Sequence, residues 1–292
     1  VTVPTTMFVL QPGSALKTGC YIRLQDFDRP QWQQPRALEA IKNPACGWFY
    51  RRNAETFHQI PGSPIAYWAS DAVLDSFSNG ERLAGLCPIH SGVRTGDNDS
   101  FIRFWWEVSN NKTCVTACSV DEAESSGMTW FPCNKGGAFR RWYGNNWVVI
   151  DWENDGERIR NCPGSDISPT RTMDWLFSGG LTWGTISSSR FSMRKSPKGF
   201  MFETKGAALL PRSDEQSSYL LGLLNSSVVN DMQTFISPTL DYHEGPLGKL
   251  PVLSVNCDSN VIGECVDCNI NLSKIDWDSL ETSWDFKRNP LL

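Results

Sequence analysis

The chain has 292 residues, 40% of them hydrophobic, with 13 Trp and 15 Phe, enough to bury a sizeable core in one large domain or two ordinary ones. Its net charge is −5 and its pI about 5.3, a balance that by itself argues against a polyanionic partner. No run of about 18 apolar residues occurs, which excludes a membrane-spanning helix.

The chain opens at Val1 rather than methionine, which suggests a fragment or a processed chain. Its first residues lack the basic start and apolar core of a signal peptide. Ten cysteines stand at irregular spacing. Without a secretory signal, that pattern points to reduced thiols in the cytoplasm, not to a disulfide framework.

Taken in order, residues 1–85 mix short strands and helices. Pro35 is positioned to open a helix over PRALEAIKN. CGWFYRR, Cys46–Arg52, has the composition of a strand. Ser70 and Asp71 are placed to cap a helix over SDAVLDSF that stops at Asn79-Gly80. Residues 86–252 are rich in glycine, asparagine and serine. FIRFWWEV, Phe101–Val108, fits either a strand or a helix capped by Asn98 or Asp99. WVVIDW (Trp147–Trp152) and GFMFET (Gly199–Thr204) are the clearest strands. Ser213 and Gln216 have capping-box spacing. Beyond them Leu221, Leu224, Val228, Met232 and Phe235 recur at helical steps. Asn225 and the following serines break this region into two helices, and Pro238 closes it. Residues 253–292 read as an acidic polar tail. The expected class is α+β: a mixed or antiparallel sheet domain with a helical support, preceded by a small α/β lead-in segment.

Charge is unevenly spread. Residues 134–212 carry 12 Lys or Arg against 7 Asp or Glu, leaving 15 against 25 for the rest. Because salt screens charge within about 10 Å, the local excess matters more than the sum. Two strings concentrate it. NKGGAFRRWYGNN, Asn134–Asn146, offers Lys135, Arg140 and Arg141 for phosphates or guanine edges. Its Asn145 and Asn146 suit adenine edges, and Gly136 and Gly137 let a backbone approach a ligand closely. The alternative reading is a solvated turn whose aromatics enter the core. GTISSSRFSMRKSPKGF, Gly184–Phe200, carries Arg190, Arg194, Lys195 and Lys198 with no acid among them.

Active-site patterns are sparse. The three histidines, His58, His90 and His243, are scattered, and no Walker loop, dinucleotide fingerprint or nucleophile elbow occurs. Glu203-Thr204-Lys205 has the form some metal-dependent nucleases use. Cys265 and Cys268, with Cys257 nearby, form a possible zinc half-site whose second pair is missing; Cys114 and Cys118 lie far away in sequence. DWENDGE, Asp151–Glu157, reads as a cation site or as a strand end and turn.

Four long strings carry a resemblance: SGVRTGDNDSFIRFWWEV, WFPCNKGGAFRRWYGNNWVVIDWENDGERIR, LTWGTISSSRFSMRKSPKGFMF and YLLGLLNSSVVNDMQTFISPTLDYHEGPLGKLPV. With the closing WDSLETSWDFKRNPLL, they resemble the later part of the PglX family, adenine-specific DNA methyltransferases of bacterial BREX phage-defence systems. They also resemble target-recognition regions of combined restriction–modification enzymes. The resemblance implies a larger protein in which a Rossmann-like domain binds S-adenosylmethionine and an Asn-Pro-Pro-Tyr/Phe motif holds a flipped adenine. This chain has no such motif; Asn43-Pro44-Ala45 and Asn289-Pro290-Leu291 do not replace it. The implied role is therefore the DNA-reading part, with residues 86–252 as the target-recognition domain and no cofactor of its own. Double-stranded DNA is the implied partner, touched by the two basic strings and by Arg94. An interaction scaffold for other BREX proteins or phage inhibitors is the alternative, and a metal nuclease a further one.

Overall fold

A computed structural model describes residues 6–10, 17–27, 29–167, 173–187, 189–237, 239, 241–253 and 259–292. The chain divides after Gly80 into two units, Val1–Gly80 and Glu81–Leu292.

In the first unit, β1 (Thr18–Ile22) pairs antiparallel with β2 (Phe49–Asn53), with Tyr21 opposite Tyr50. The rings of Tyr21 and Tyr67 stack 4.7 Å apart, and the Arg23 guanidinium lies 4.5 Å over Trp68. Helix α1 runs Pro30–Lys42. It starts earlier than Pro35 implies because Pro30 already supplies the preset first-turn φ, leaving Pro35 inside the helix. Helix α2, Asp71–Asn79, is capped as expected: the Ser70 hydroxyl accepts from the Val73 N–H, and the helix ends at Gly80.

The second unit begins with a two-stranded pair and two four-stranded sheets. Strand β3 (Glu81–Arg82) leads into α3 (Leu83–Leu86) and β4 (Ile89–His90). FIRFWWEV is a short strand followed by a 3-10 turn over Trp105–Glu107; only its first residue, Phe101, is helical, and Asn98 and Asp99 lie inside that short helix instead of capping it. α4 (Asn98–Phe101) is capped by Asp97 and ends where β5 (Ile102–Phe104) begins. After α5 (Val120–Ser125) come β6 (Trp130–Asn134) and β7 (Val148–Asp151). DWENDGE is the end of β7 and the start of α6 (Glu153–Arg160), which is entered through left-handed backbone at Asn154, Asp155 and Gly156. Then follow β8 (Gly180–Gly184), β9 (Met193–Ser196), β10 (Met201–Phe202) and β11 (Gly206–Leu209). The expected helix pair is present as α7 (Asp214–Leu224) and α8 (Ser227–Ile236), capped by Ser213 and Ser226. Gln216 bonds back to the Arg212 N–H at 2.7 Å, one residue before the cap. Pro238 lies outside the described residues. Next come α9 (Glu244–Leu247) and β12 (Pro251–Val252), which pairs with β3. The stretch expected as a polar tail contains a 20-residue helix, α10 (Ser259–Asp278), and it belongs to the second unit.

The first four-stranded sheet has the order β10-β6-β7-β5, parallel only between β10 and β6. Phe131, Ile150 and Ile102 face one another across three strands and are buried in the core. The second has the order β4-β11-β8-β9 and is antiparallel throughout. The turn Glu203-Thr204-Lys205 carries the chain from β10 of one sheet into β11 of the other. Its neighbours approach backbone to backbone. A Cβ on Gly206 would overlap the Asn134 carbonyl, one on Gly92 would overlap Glu203, and one on Gly136 would lie 2.5 Å from the Lys205 carbonyl oxygen. Only glycine fits such close approaches. Gly206→Ala is expected to destabilise the chain by roughly 3 kcal/mol through forced separation of the two sheets. Gly245→Ala, where the added methyl meets nothing within 4 Å, is the control. Denaturant midpoints of the two variants check this.

Candidate nucleic-acid interface

The loop 135–147 leaves β6 on glycine backbone, with φ of +79° at Gly136 and +114° at Gly137. These glycines approach the protein itself: Gly136 sits against Lys205 and Gly184 of the neighbouring sheet, and Gly137 against the Asn145 side chain. The loop then runs beside β9. The Trp142 N–H donates to the Met193 carbonyl (3.1 Å), and the Lys195 N–H donates to the Trp142 carbonyl (2.8 Å). The two basic strings are thus brought together by main-chain bonds. The same edge of β9 is also held by Asn225, the residue that separates α7 from α8, while its other edge pairs with β8. The Asn225 amide accepts from the Met193 N–H at 2.9 Å and donates to the Met193 carbonyl at 3.0 Å.

The expected site residues separate into two sets. Asn145 and Asn146 are each 3% exposed, which corrects the expectation that they meet an adenine edge. The Asn145 side chain donates to the Ala138 carbonyl at 2.9 Å and so shapes the loop. Arg194 is 1% exposed and also out of reach of a phosphate. It lies opposite Thr182, its Nη2 is 3.5 Å from the Gly136 carbonyl, and its Nε has no partner among the described residues. Burial, and then the nearby charge of Arg140, lower its pKa to about 10.

Arg140 is engaged by α10. It is ion-paired with Asp276, its Nε donates to the Tyr143 carbonyl at 3.1 Å, and its guanidinium lies 5.0 Å over the Trp277 ring. Gly144 is required beside it, because a Cβ there would strike both Arg140 and Trp277. Lys274 of α10 sits 5.1 Å over the Tyr143 ring and bonds to Asp278 and Asp285 at 2.7 and 2.9 Å, which raise its pKa against the pull of burial.

The other set faces solvent. Arg94, Arg190 and Lys198 are exposed, and Lys135, Arg141 and Lys195 are partly so. Arg141 lies 5.6 Å over the ring of Phe139, itself 45% exposed. Lys195 lines a recess of about 420 Å³ with Tyr143, Pro197, Asp267, Ile270, Asn271 and Lys274. Arg94 stands on a separate segment, with its backbone N–H held by Asp166 at 3.0 Å. The participation of α10 corrects the expectation of a polar tail. Its Trp277 is 2% exposed, and a tryptophan in so polar a stretch is the signal in the sequence that this segment packs.

The metal expectations change as well. Glu203 is 3% exposed, and its carboxylate accepts from the Thr204 hydroxyl and the Lys205 N–H, both at 2.8 Å. It shapes the crossover turn. Cys265 and Cys268 are exposed on α10, while Cys257 lies outside the described residues. Among the described residues no group of three or more His, Cys, Asp or Glu could hold a metal ion, and no helix is long and apolar enough to cross a membrane.

These placements separate structural cations from available ones. Arg140→Ala is expected to cost roughly 1–2 kcal/mol by removing the bonds to Tyr143 and Asp276, and Arg140→Lys to restore little, since one ammonium cannot span both. Lys195→Ala should stay within about 0.5 kcal/mol of the parent. Thermal unfolding of the three variants gives the comparison.

No protein-family model matches the chain. It is 38% identical over 296 residues to the adenine-specific methyltransferase PglX of Lacticaseibacillus casei (strain Zhang), a match that covers 99% of this chain and 24% of that protein. It is 38% identical over 293 residues to the adenine-specific methyltransferase BrxX of Escherichia coli O9:H4 (strain HS), covering 99% of this chain and 22% of that protein. The chain is therefore similar, along almost its whole length, to one stretch of adenine-specific methyltransferases, and it spans about a quarter of the length of these curated relatives.

Proposed function

We propose that this chain is the DNA-reading part of a site-specific N6-adenine DNA methyltransferase of the BREX type, acting in the cytoplasm on double-stranded DNA. The observation that carries the reading is the end-to-end similarity to methyltransferases about four times as long, in a chain that lacks an Asn-Pro-Pro-Tyr/Phe motif. In this reading the methyl donor, S-adenosylmethionine, and the flipped adenine are held by the remainder of the longer protein.

The geometry supports a division of labour. Reading a duplex needs phosphate contacts to fix register and side chains that reach base edges. Arg190, Lys195 and Lys198 are accessible on or beside β9, and Lys135 and Arg141 on the loop bonded to it. These five form the proposed DNA-facing set, with Arg94 as an outlying member. Arg141, with its guanidinium 5.6 Å from the exposed Phe139 ring, carries the donor pair that suits a guanine edge. Arg140, Arg194, Asn145 and Asn146 serve by holding the loop in shape.

Binding of the 292-residue chain to duplex DNA, titrated against salt, tests this. Affinity is expected to fall steeply as salt rises. The combined Arg190→Ala, Lys195→Ala and Lys198→Ala variant is expected to flatten the log–log slope by roughly 2–3, about 0.9 for each phosphate no longer neutralised. Absence of binding at low salt, or an unchanged slope in the variant, would refute the DNA-facing set.

A further inference from the structure

The loop 135–147 carries an aromatic ring at its tip. Gly137, Ala138 and Phe139 are its exposed run, and Phe139 is 45% exposed. The residues beside the ring are turned inward and fastened. The Ala138 carbonyl accepts from the Asn145 side chain at 2.9 Å. The Arg140 Nε donates to the Tyr143 carbonyl at 3.1 Å, and the same side chain is ion-paired with Asp276 on α10. The Arg141 carbonyl accepts from the Tyr143 N–H at 2.9 Å. Phe139 therefore projects from a segment tied down on both sides, and little ordering is left for a partner to impose on it.

A single exposed apolar side chain is ordinary on a protein surface. The surroundings set this one apart. No Asp or Glu occurs from Asn134 to Ile150, a stretch that holds Lys135, Arg140 and Arg141. The Arg141 guanidinium lies 5.6 Å from the ring itself. A hydrocarbon ring set among cations, with no acid in the same loop, fits a partner that is anionic outside and flat and apolar within. Duplex DNA is such a partner: its phosphates draw cations, and its stacked bases present apolar faces. Gly137 and Ala138 extend no further than a methyl group, so a sugar–phosphate backbone can come close to the tip.

We propose that Phe139 is a wedge that enters between two stacked base pairs of bound DNA, unstacks them and kinks the duplex. The proposal rests on the DNA-reading role proposed above and adds a second way of reading to it. A phenyl ring has no polar atom and forms no hydrogen bond to a base edge. It selects instead through the cost of opening a step, which is lowest at flexible pyrimidine–purine steps. Phe139 thereby becomes a specificity-determining residue that acts through the shape of the DNA, while Lys135 and Arg141 hold the duplex against the loop.

Energy transfer between dyes at the two ends of duplexes of about 30 base pairs, enriched from a random pool by binding to the 292-residue chain, provides the test. The parent chain is expected to shorten the end-to-end distance, as a kink of roughly 20–90° from an inserted side chain requires. Phe139→Ala should bind about tenfold more weakly and lose the kink. It should keep the salt slope of the parent, because no phosphate contact is removed. Phe139→Leu, still an apolar wedge, should retain most of the kink. Duplex binding by the parent with a steep salt slope but an unbent duplex overturns the wedge and leaves the DNA-facing set standing. A full kink in Phe139→Ala overturns it as well. Absence of duplex binding by the parent at low salt sinks the DNA-reading role, and the wedge with it.

Discussion

The second unit depends on one crowded crossing. Its two four-stranded sheets share a continuous chain through Glu203-Thr204-Lys205, and two other segments press against that turn and the Gly206 that follows it: Gly92 and the Asn134–Gly136 exit from β6. The Val93 N–H donates to the Phe202 carbonyl at 2.7 Å, and the Thr204 N–H donates to the Val93 carbonyl at 3.2 Å. The Thr185 N–H donates to the Lys205 carbonyl at 3.1 Å. Bonds of this kind satisfy polar main-chain groups that burial would otherwise strand. They also leave no room for side chains, so the glycines there follow from the fold itself.

From that crossing the basic loop inherits its position. It leaves on Gly136, turns through left-handed backbone at Trp142, Gly144 and Asn145, and bonds to β9 on the way. The cations of an acidic chain are then put to two uses. Arg140 and Arg194 are consumed inside: one fastens α10 to the loop, the other fills the space between β9 and Gly136. A buried guanidinium carries a desolvation cost that its distant approach to Gly136 does not offset. The cations around it remain at the surface, where their field reaches about one Debye length into solvent.

Much of the local structure is legible in the residues. Ser70 and Ser213 announce their helices because a side-chain oxygen before an apolar period has few other uses, and Asn225 marks the break between α7 and α8. The strand at Val148–Asp151 shows in its apolar run. Other features are not legible, for reasons that are physical. Gly136 looks the same in sequence whether its backbone meets a phosphate or the carbonyl of Lys205. Asn145 and Asn146 carry groups suited to bases, yet the sequence does not say that a tight turn has folded them inward. The partner of Arg140 lies 136 residues away on α10, and a helix with polar residues on much of its surface resembles a tail until its tryptophan is placed. FIRFWWEV is ambiguous because a three-residue strand in it is bounded by a helix end at Phe101 and a 3-10 turn at Trp105–Glu107.

The main-chain bonds between the loop and β9 run through the peptide groups of residue 142. Main-chain bonds are indifferent to the side chains on either side of them. Residues 139 and 141 therefore stand on a platform shaped by glycines, peptide groups and the inward-turned side chains of Arg140 and Asn145 a few positions away. The exposed side chains of the loop are thus separate from the groups that keep it folded. In the DNA-reading role proposed above, those positions are where specificity would change by point substitution, with the scaffold beneath them unaltered.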